Sequence, residues 1–79
     1  MRIDKYLKVS RIIKRRSVAN EVCDAGKVAV NGKVVRASYD VKVGDIIEIT
    51  FDTRSIKVQV VSVQEVIRKE DAATMYTSV

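Results

Sequence analysis

The sequence predicts an α+β fold: two short N-terminal helices packed on a small twisted antiparallel sheet of about four to five strands, with a short C-terminal helical segment. Three observations lead to it. Apolar residues recur at helical spacing over 3–7 and again over 18–23. An Asn31-Gly32 pair separates two valine-rich runs. Apolar and polar residues alternate from Ile46 and again from Ile56, as in half-buried strands.

The first helix opens at Asp4, whose carboxylate suits both an N-cap and the positive end of the dipole. Ile3, Tyr6 and Leu7, with Ile13 beyond them, form the apolar stripe. Lys5, Lys8 and Arg11 recur every three residues and share a different face for two turns. The run Lys14-Arg15-Arg16 separates this helix from the next, which Ser17 can cap. Glu21 falls one position too late for a strict capping box. Val18, Ala19, Val22 and Cys23 define the buried face of the second helix, and Gly26 can end it in the left-handed C′ position.

Asn31-Gly32 is the preferred pair for a two-residue type I′ turn. In that register Ala29 faces Val34, Val28 faces Val35, and Lys33 sits at the tip. A turn follows over 41–45. Ile47, Ile49 and Phe51 then share one strand face. After a loop over 52–55, a further strand carries Ile56, Val58 and Val60 and is expected to run on to Val63 or Val66. Residues 70–76 have the composition of one or two helical turns, which would be marginal in isolation.

Charge is distributed unevenly. The net charge is +5 over 79 residues. Ten Lys/Arg stand against three Asp/Glu up to Arg36, and five against seven beyond it, so a +7 segment precedes a −2 segment. Such asymmetry predicts a polyanion on one face. At this size one modest core forms, burying roughly 60% of the unfolded surface, and a separate catalytic domain does not fit. Histidine is absent and Cys23 is the single cysteine, which removes the usual His/Cys metal sites and the common acid–base and nucleophilic arrangements. Cys23, among Ala19, Val22 and Ala25, reads as a small buried hydrophobe. No enzyme activity, cofactor, metal or small-molecule substrate is expected. No segment reads as a signal peptide or membrane span, so a soluble, cytoplasmic monomer without membrane partners is expected.

The polyanion this surface suits is structured RNA. Seven cations lie between Arg2 and Arg16 on two short helices and the loop joining them. Arginine offers phosphate a planar fork of donors, and lysine a point charge. The aromatic pairs that stack unpaired bases are missing. Asn20, Glu21 and Asp24 on the outer side of the second helix make it a poor reader of the DNA major groove.

Arg2-Ile-Asp-Lys-Tyr-Leu7, Arg16-Ser-Val-Ala19, Ala25-Gly-Lys-Val-Ala-Val-Asn-Gly32 and Val43-Gly-Asp45 occur in this order. Over about residues 1–50 they resemble the RNA-binding domain named after ribosomal small-subunit protein four, the S4 domain. The chain is thereby divided into an S4-type domain over 1–66 and a C-terminal extension over 67–79. The stretches RIDKYLKVSRIIKRRSVANEV and KEDAATMYTSV are also similar to a family of small bacterial ribosome quality control proteins, relatives of the ribosome-associated fifteen-kilodalton heat-shock protein. That resemblance implies binding to large ribosomal subunits obstructed by peptidyl-tRNA. The contacts would be large-subunit rRNA and the tRNA in the peptidyl site, and the partner the factor that adds C-terminal alanine tails.

Carried onto this sequence, the RNA-binding residues are Arg2, Lys5, Lys8, Arg11, Arg15 and Arg16, with Lys33 contributing less. Arg16 ranks first because backbone N–H groups and the dipole at the start of the second helix also favour phosphate. Its alternative use is a salt bridge to Asp4. Arg11 and Lys14 serve almost as well as solvated charges, and Asn31 and Gly32 are turn formers rather than contacts. Two other readings compete. The chain could be the targeting module of an RNA-modifying enzyme or of an assembly or heat-shock factor. Thr77-Ser78-Val79 also has the form of a C-terminal peptide ligand for a PDZ domain.

Overall fold

The computed structural model describes residues 1–79. Two helices, α1 (Ile3–Val9) and α2 (Arg16–Asp24), precede the strands β1 (Val28–Val30), β2 (Lys33–Val34), β3 (Ile46–Thr50) and β4 (Ser55–Val60). A 3₁₀ helix (Lys69–Met75) and a fifth strand, β5 (Tyr76–Ser78), complete the chain. The five strands form one antiparallel sheet in the order β2-β1-β3-β4-β5. This is the α+β architecture expected from the sequence.

The period-two pattern decides which face is buried. Val28, Val30, Ile47, Ile49, Val58 and Val60 point to the core, where they meet Ile3, Tyr6 and Leu7 of α1 and Ala19 and Cys23 of α2. The opposite face carries Ala29, Glu48 and Lys57 in register across three strands. The hairpin turns as its sequence requires: Asn31 has φ 52° and Gly32 φ 87°, and Ala29 pairs with Val34. The Asn31 side chain continues the lock. Its amide donates to Asp45, and its oxygen accepts the Ile46 N–H, so the turn is tied to β3. Helix α2 ends in a full Schellman arrangement: Gly26 N–H donates to Cys23 O and Lys27 N–H to Val22 O, with Gly26 at φ 80°.

Several local expectations are corrected. Asp4 does not cap α1. It lies inside the helix with its side chain buried, and Arg2 occupies the N-cap position. The free N–H groups at this end are satisfied by the 37–39 loop, where Ile3 N–H donates to Tyr39 O and Asp4 N–H to Ala37 O, and locally by the Asp4 carboxylate, which accepts the Lys5 N–H. Ser17 is likewise inside α2, whose N-cap is Arg15. Helix α1 stops at Val9, so Arg11 is not on the same helical face as Lys5 and Lys8. It sits at φ 63°, in the left-handed position usual for glycine after a helix, and donates its N–H to Lys8 O. The turn returns Ile13 to the core.

Strand β4 ends at Val60 rather than running on to Val63 or Val66. The reason is a change of acceptor: both Val61 and Ser62 N–H donate to Met75 O, which turns the chain away from the sheet. Phe51 lies outside β3, half-buried, in a turn where its N–H donates to Arg54 O and the Arg54 guanidinium sits 5.6 Å from its ring centroid. Beyond the 3₁₀ helix, β5 pairs with β4 in the register Val60–Tyr76, Gln59–Thr77 and Val58–Ser78. The buried Met75 joins both to the core.

Candidate RNA-binding surface

The buried carboxylate of Asp4 organises the helical face. Arg2 donates to it through Nε and Nη2 at 3.2 and 3.3 Å, Asn20 Nδ2 at 3.2 Å, and Arg16 Nη2 at 3.4 Å. Burial would raise its pKa. Hydrogen bonds from Asn20, Arg16 and the Lys5 N–H, together with the Arg16 charge, outweigh burial and hold the carboxyl below its ordinary value. One acid thereby joins α1 to α2 and fixes two guanidinium groups at the surface, with the Arg2 and Arg16 side chains still 50% and 46% exposed.

Arg16 makes the alternative contact expected of it, the pair with Asp4, and also faces outward. It lines a cleft of about 520 Å³ between α1, the loop after it and segment 65–67. Lys5, Lys8, Arg11, Lys14 and Arg16 surround this cleft, with Val9, Val66 and Ile67 as its apolar wall. Glu65 is the single acid there, 2.8 Å from Lys5 Nζ. The structure thus brings four of the sequence-chosen cations, Lys5, Lys8, Arg11 and Arg16, to one cleft and adds Lys14. Arg15 is exposed at the α2 N-cap outside the cleft. Arg2 lies on the Asp4 side. Lys33 projects from the exposed β2 edge, also outside the cleft. Lys27 stands at the other end of β1, 4.0 Å from Asp52.

Sequence reasoning missed Glu65 and the apolar wall, because nothing local marks an irregular segment as returning to a helix some 60 positions earlier. It also missed Asn20 as a link to Asp4, treating it as an outward polar group. Arg16 also lines a second, shallow concavity with Asp4, Ser17, Asn20 and Glu21. No group of His, Cys, Asp or Glu side chains has the arrangement of a metal site, and no helix is long and apolar enough to cross a membrane.

Fold and sequence have counterparts among known proteins. The structure matches the trimeric structure of Vibrio cholerae Heat Shock Protein 15 with a TM-score of 0.91 at 26% identity, covering 100% of this chain and 81% of that one. In sequence, the chain is 54% identical over 76 residues to the RQC P-site tRNA stabilizing factor of Streptococcus pneumoniae, covering 96% of this chain and 86% of that protein. The protein of the same name from Halalkalibacterium halodurans is 50% identical with the same coverage. The family model described as the S4 domain matches residues 1–47, the segment that holds both helices, the hairpin and every cation of the cleft. The chain therefore belongs to the S4-domain family and, within it, to the proteins called RQC P-site tRNA stabilizing factors.

Proposed function

We propose that this chain is a non-catalytic RNA-binding factor of bacterial ribosome quality control. It binds large ribosomal subunits stalled with peptidyl-tRNA, contacts rRNA and the tRNA in the peptidyl site, and thereby supports alanine tailing of the nascent chain by the tailing factor. One observation carries the reading: five cations of α1, the loop after it and the start of α2 converge on a single cleft, where Arg16 is held by Asp4. The names of the relatives point to tRNA at the peptidyl site, and such a site would place the protein in the cytoplasm.

The RNA-binding residues are Lys5, Lys8, Arg11 and Arg16 around the cleft, flanked by Arg2 and Arg15, with Lys33 a peripheral contact. Their chemistry is electrostatic. Each lysine or arginine that neutralises a phosphate releases counterions condensed on the RNA, so affinity falls steeply with salt. The protein acts as a single copy; its sheet edges, β2 and β5, are only two and three residues long and make poor templates for strand pairing.

Ribosome fractionation on a sucrose gradient tests this. Tagged wild-type protein is expected to travel with large subunits carrying peptidyl-tRNA at low and moderate salt, and Arg16→Ala to remain at the top with an unchanged circular dichroism spectrum. Wild-type protein remaining at the top at both salts would remove the ribosomal assignment. Loss of helical signal in Arg16→Ala would assign that residue to structure.

A further inference from the structure

Segment 61–68 contributes Glu65, Val66 and Ile67 to one wall of the cationic cleft. It is anchored at its start, where the Val61 and Ser62 N–H groups donate to Met75 O at 2.8 and 3.1 Å, and returns to the core through half-buried Val63 and Ile67. Between these anchors Glu65 reaches Lys5 Nζ at 2.8 Å, and Val66 stands 87% exposed beside it. The Glu65 side chain is itself 66% exposed, so its carboxylate fills no structural need of the core. It is an acid placed among five cations.

We propose that Lys5 and Glu65 form a gated phosphate subsite, in which the Glu65 carboxylate occupies in the free protein the place that an RNA phosphate takes in the complex. The inference rests on the RNA-binding reading above and specifies one of its contacts. A carboxylate oxygen and a phosphate oxygen are equivalent acceptors for an ammonium group, and lysine, as a point charge, imposes no bidentate geometry that would tell them apart. An exposed ion pair shifts an equilibrium by only about two- to fivefold, so a phosphate held by the neighbouring cations can displace it. Until that happens Lys5 is neutralised and contributes little to capture of an arbitrary polyanion. An RNA that places phosphates across the whole cleft recovers Lys5 and releases Glu65.

The test uses the full chain, fluorescently labelled, titrated with purified bacterial large ribosomal subunits over a potassium chloride series. Glu65→Gln is expected to bind about two- to fivefold more tightly, with the slope of log affinity against log salt steeper by about one phosphate contact. In a Lys5→Gln background the same substitution is expected to change nothing. Glu48→Gln, on the outer face of the sheet, controls for net charge and is expected to leave affinity unchanged. An equal gain from Glu48→Gln, or a Glu65→Gln gain that survives without Lys5, would overturn the subsite and leave only a net-charge effect. No change with Glu65→Gln while Arg16→Ala weakens binding would overturn the gate and leave the RNA-binding reading standing. Absence of salt-dependent binding by the wild type would remove both.

Discussion

The buried hydroxyl of Tyr6 in α1 donates to the Met75 carbonyl oxygen at 2.7 Å, across 69 positions of the chain. That oxygen also accepts the Val61 and Ser62 N–H groups, so one carbonyl joins the first helix, the exit of β4 and the start of β5. Tyr6→Phe is expected to cost about 1 kcal/mol, because two donors remain on the oxygen and no buried acceptor is orphaned. The loss should be local: amide exchange should quicken over 76–78 while α2 keeps its protection. Met75→Ala, which empties a fully buried position, is expected to cost about 2–5 kcal/mol. Denaturant midpoints and residue-resolved hydrogen exchange check both; uniform loss of protection in Tyr6→Phe would contradict the local account.

Asp4 makes stability depend on acid. Its folded-state pKa lies below the ordinary value of 3.8, so the unfolded chain takes up the proton more readily. The contribution is therefore complete above the unfolded value and is lost as pH falls through the lowered one. Urea midpoints should hold steady from neutral pH to about pH 5 and drop below about pH 4. Asp40 and Glu65 are also lowered, by the N-terminal ammonium and by Lys5, so the informative comparison is with Asp4→Asn. That variant should be less stable at neutral pH by about 1–2 kcal/mol, with a shallower acid limb. Parallel acid limbs would assign the dependence to the other carboxylates.

The contrast between Asn31 and Asp4 explains what could be read in advance. Asn31-Gly32 was legible because the turn type, the register and the pairing of Ala29 with Val34 depend on adjacent residues alone. Asp4 reads as a cap from its neighbours, yet its partners Arg16 and Asn20 lie 12 and 16 positions away, and carbonyls of the 37–39 loop take over the capping task. Strand β5 was not legible for a related reason. Tyr76–Ser78 is short and mostly exposed, and it reaches β4 through an irregular segment and a 3₁₀ helix, with no turn signature between them. The cations were legible as a group, since spacing and charge are local properties. Their division between the cleft and its flanks was set by where α1 stops, which depends on the turn at Arg11.

Cys23 should be chemically silent in the folded protein. It is fully buried between α2 and the sheet, and burial, with the charges of Asp4 and Asp24, pushes its thiol up to about 11. The thiolate is the reactive form, so alkylation at about pH 8 should proceed only through opening of the fold and should accelerate sharply in denaturant. Stoichiometric labelling of the native protein within minutes would place Cys23 in an accessible, activated setting and contradict its role as packing.

Arg11 separates stability from binding. An L-residue in the left-handed region carries a cost of roughly 1–2 kcal/mol, and the position just past a helix end is ordinarily given to glycine. Here, at φ 63°, it is given to an arginine that lines the cleft. Arg11→Gly removes the conformational cost and also loosens the unfolded chain, two effects of opposite sign. Thermal stability is therefore expected to stay the same or rise by up to about 1 kcal/mol. Affinity for large ribosomal subunits should fall, with the salt slope shallower by about one contact. Arg11→Lys keeps the charge and the strain, and should retain most of the binding with no gain in stability. Unchanged affinity in Arg11→Gly would make Arg11 a solvated charge at a helix end, and a loss of stability would show that its side chain is needed to hold the turn.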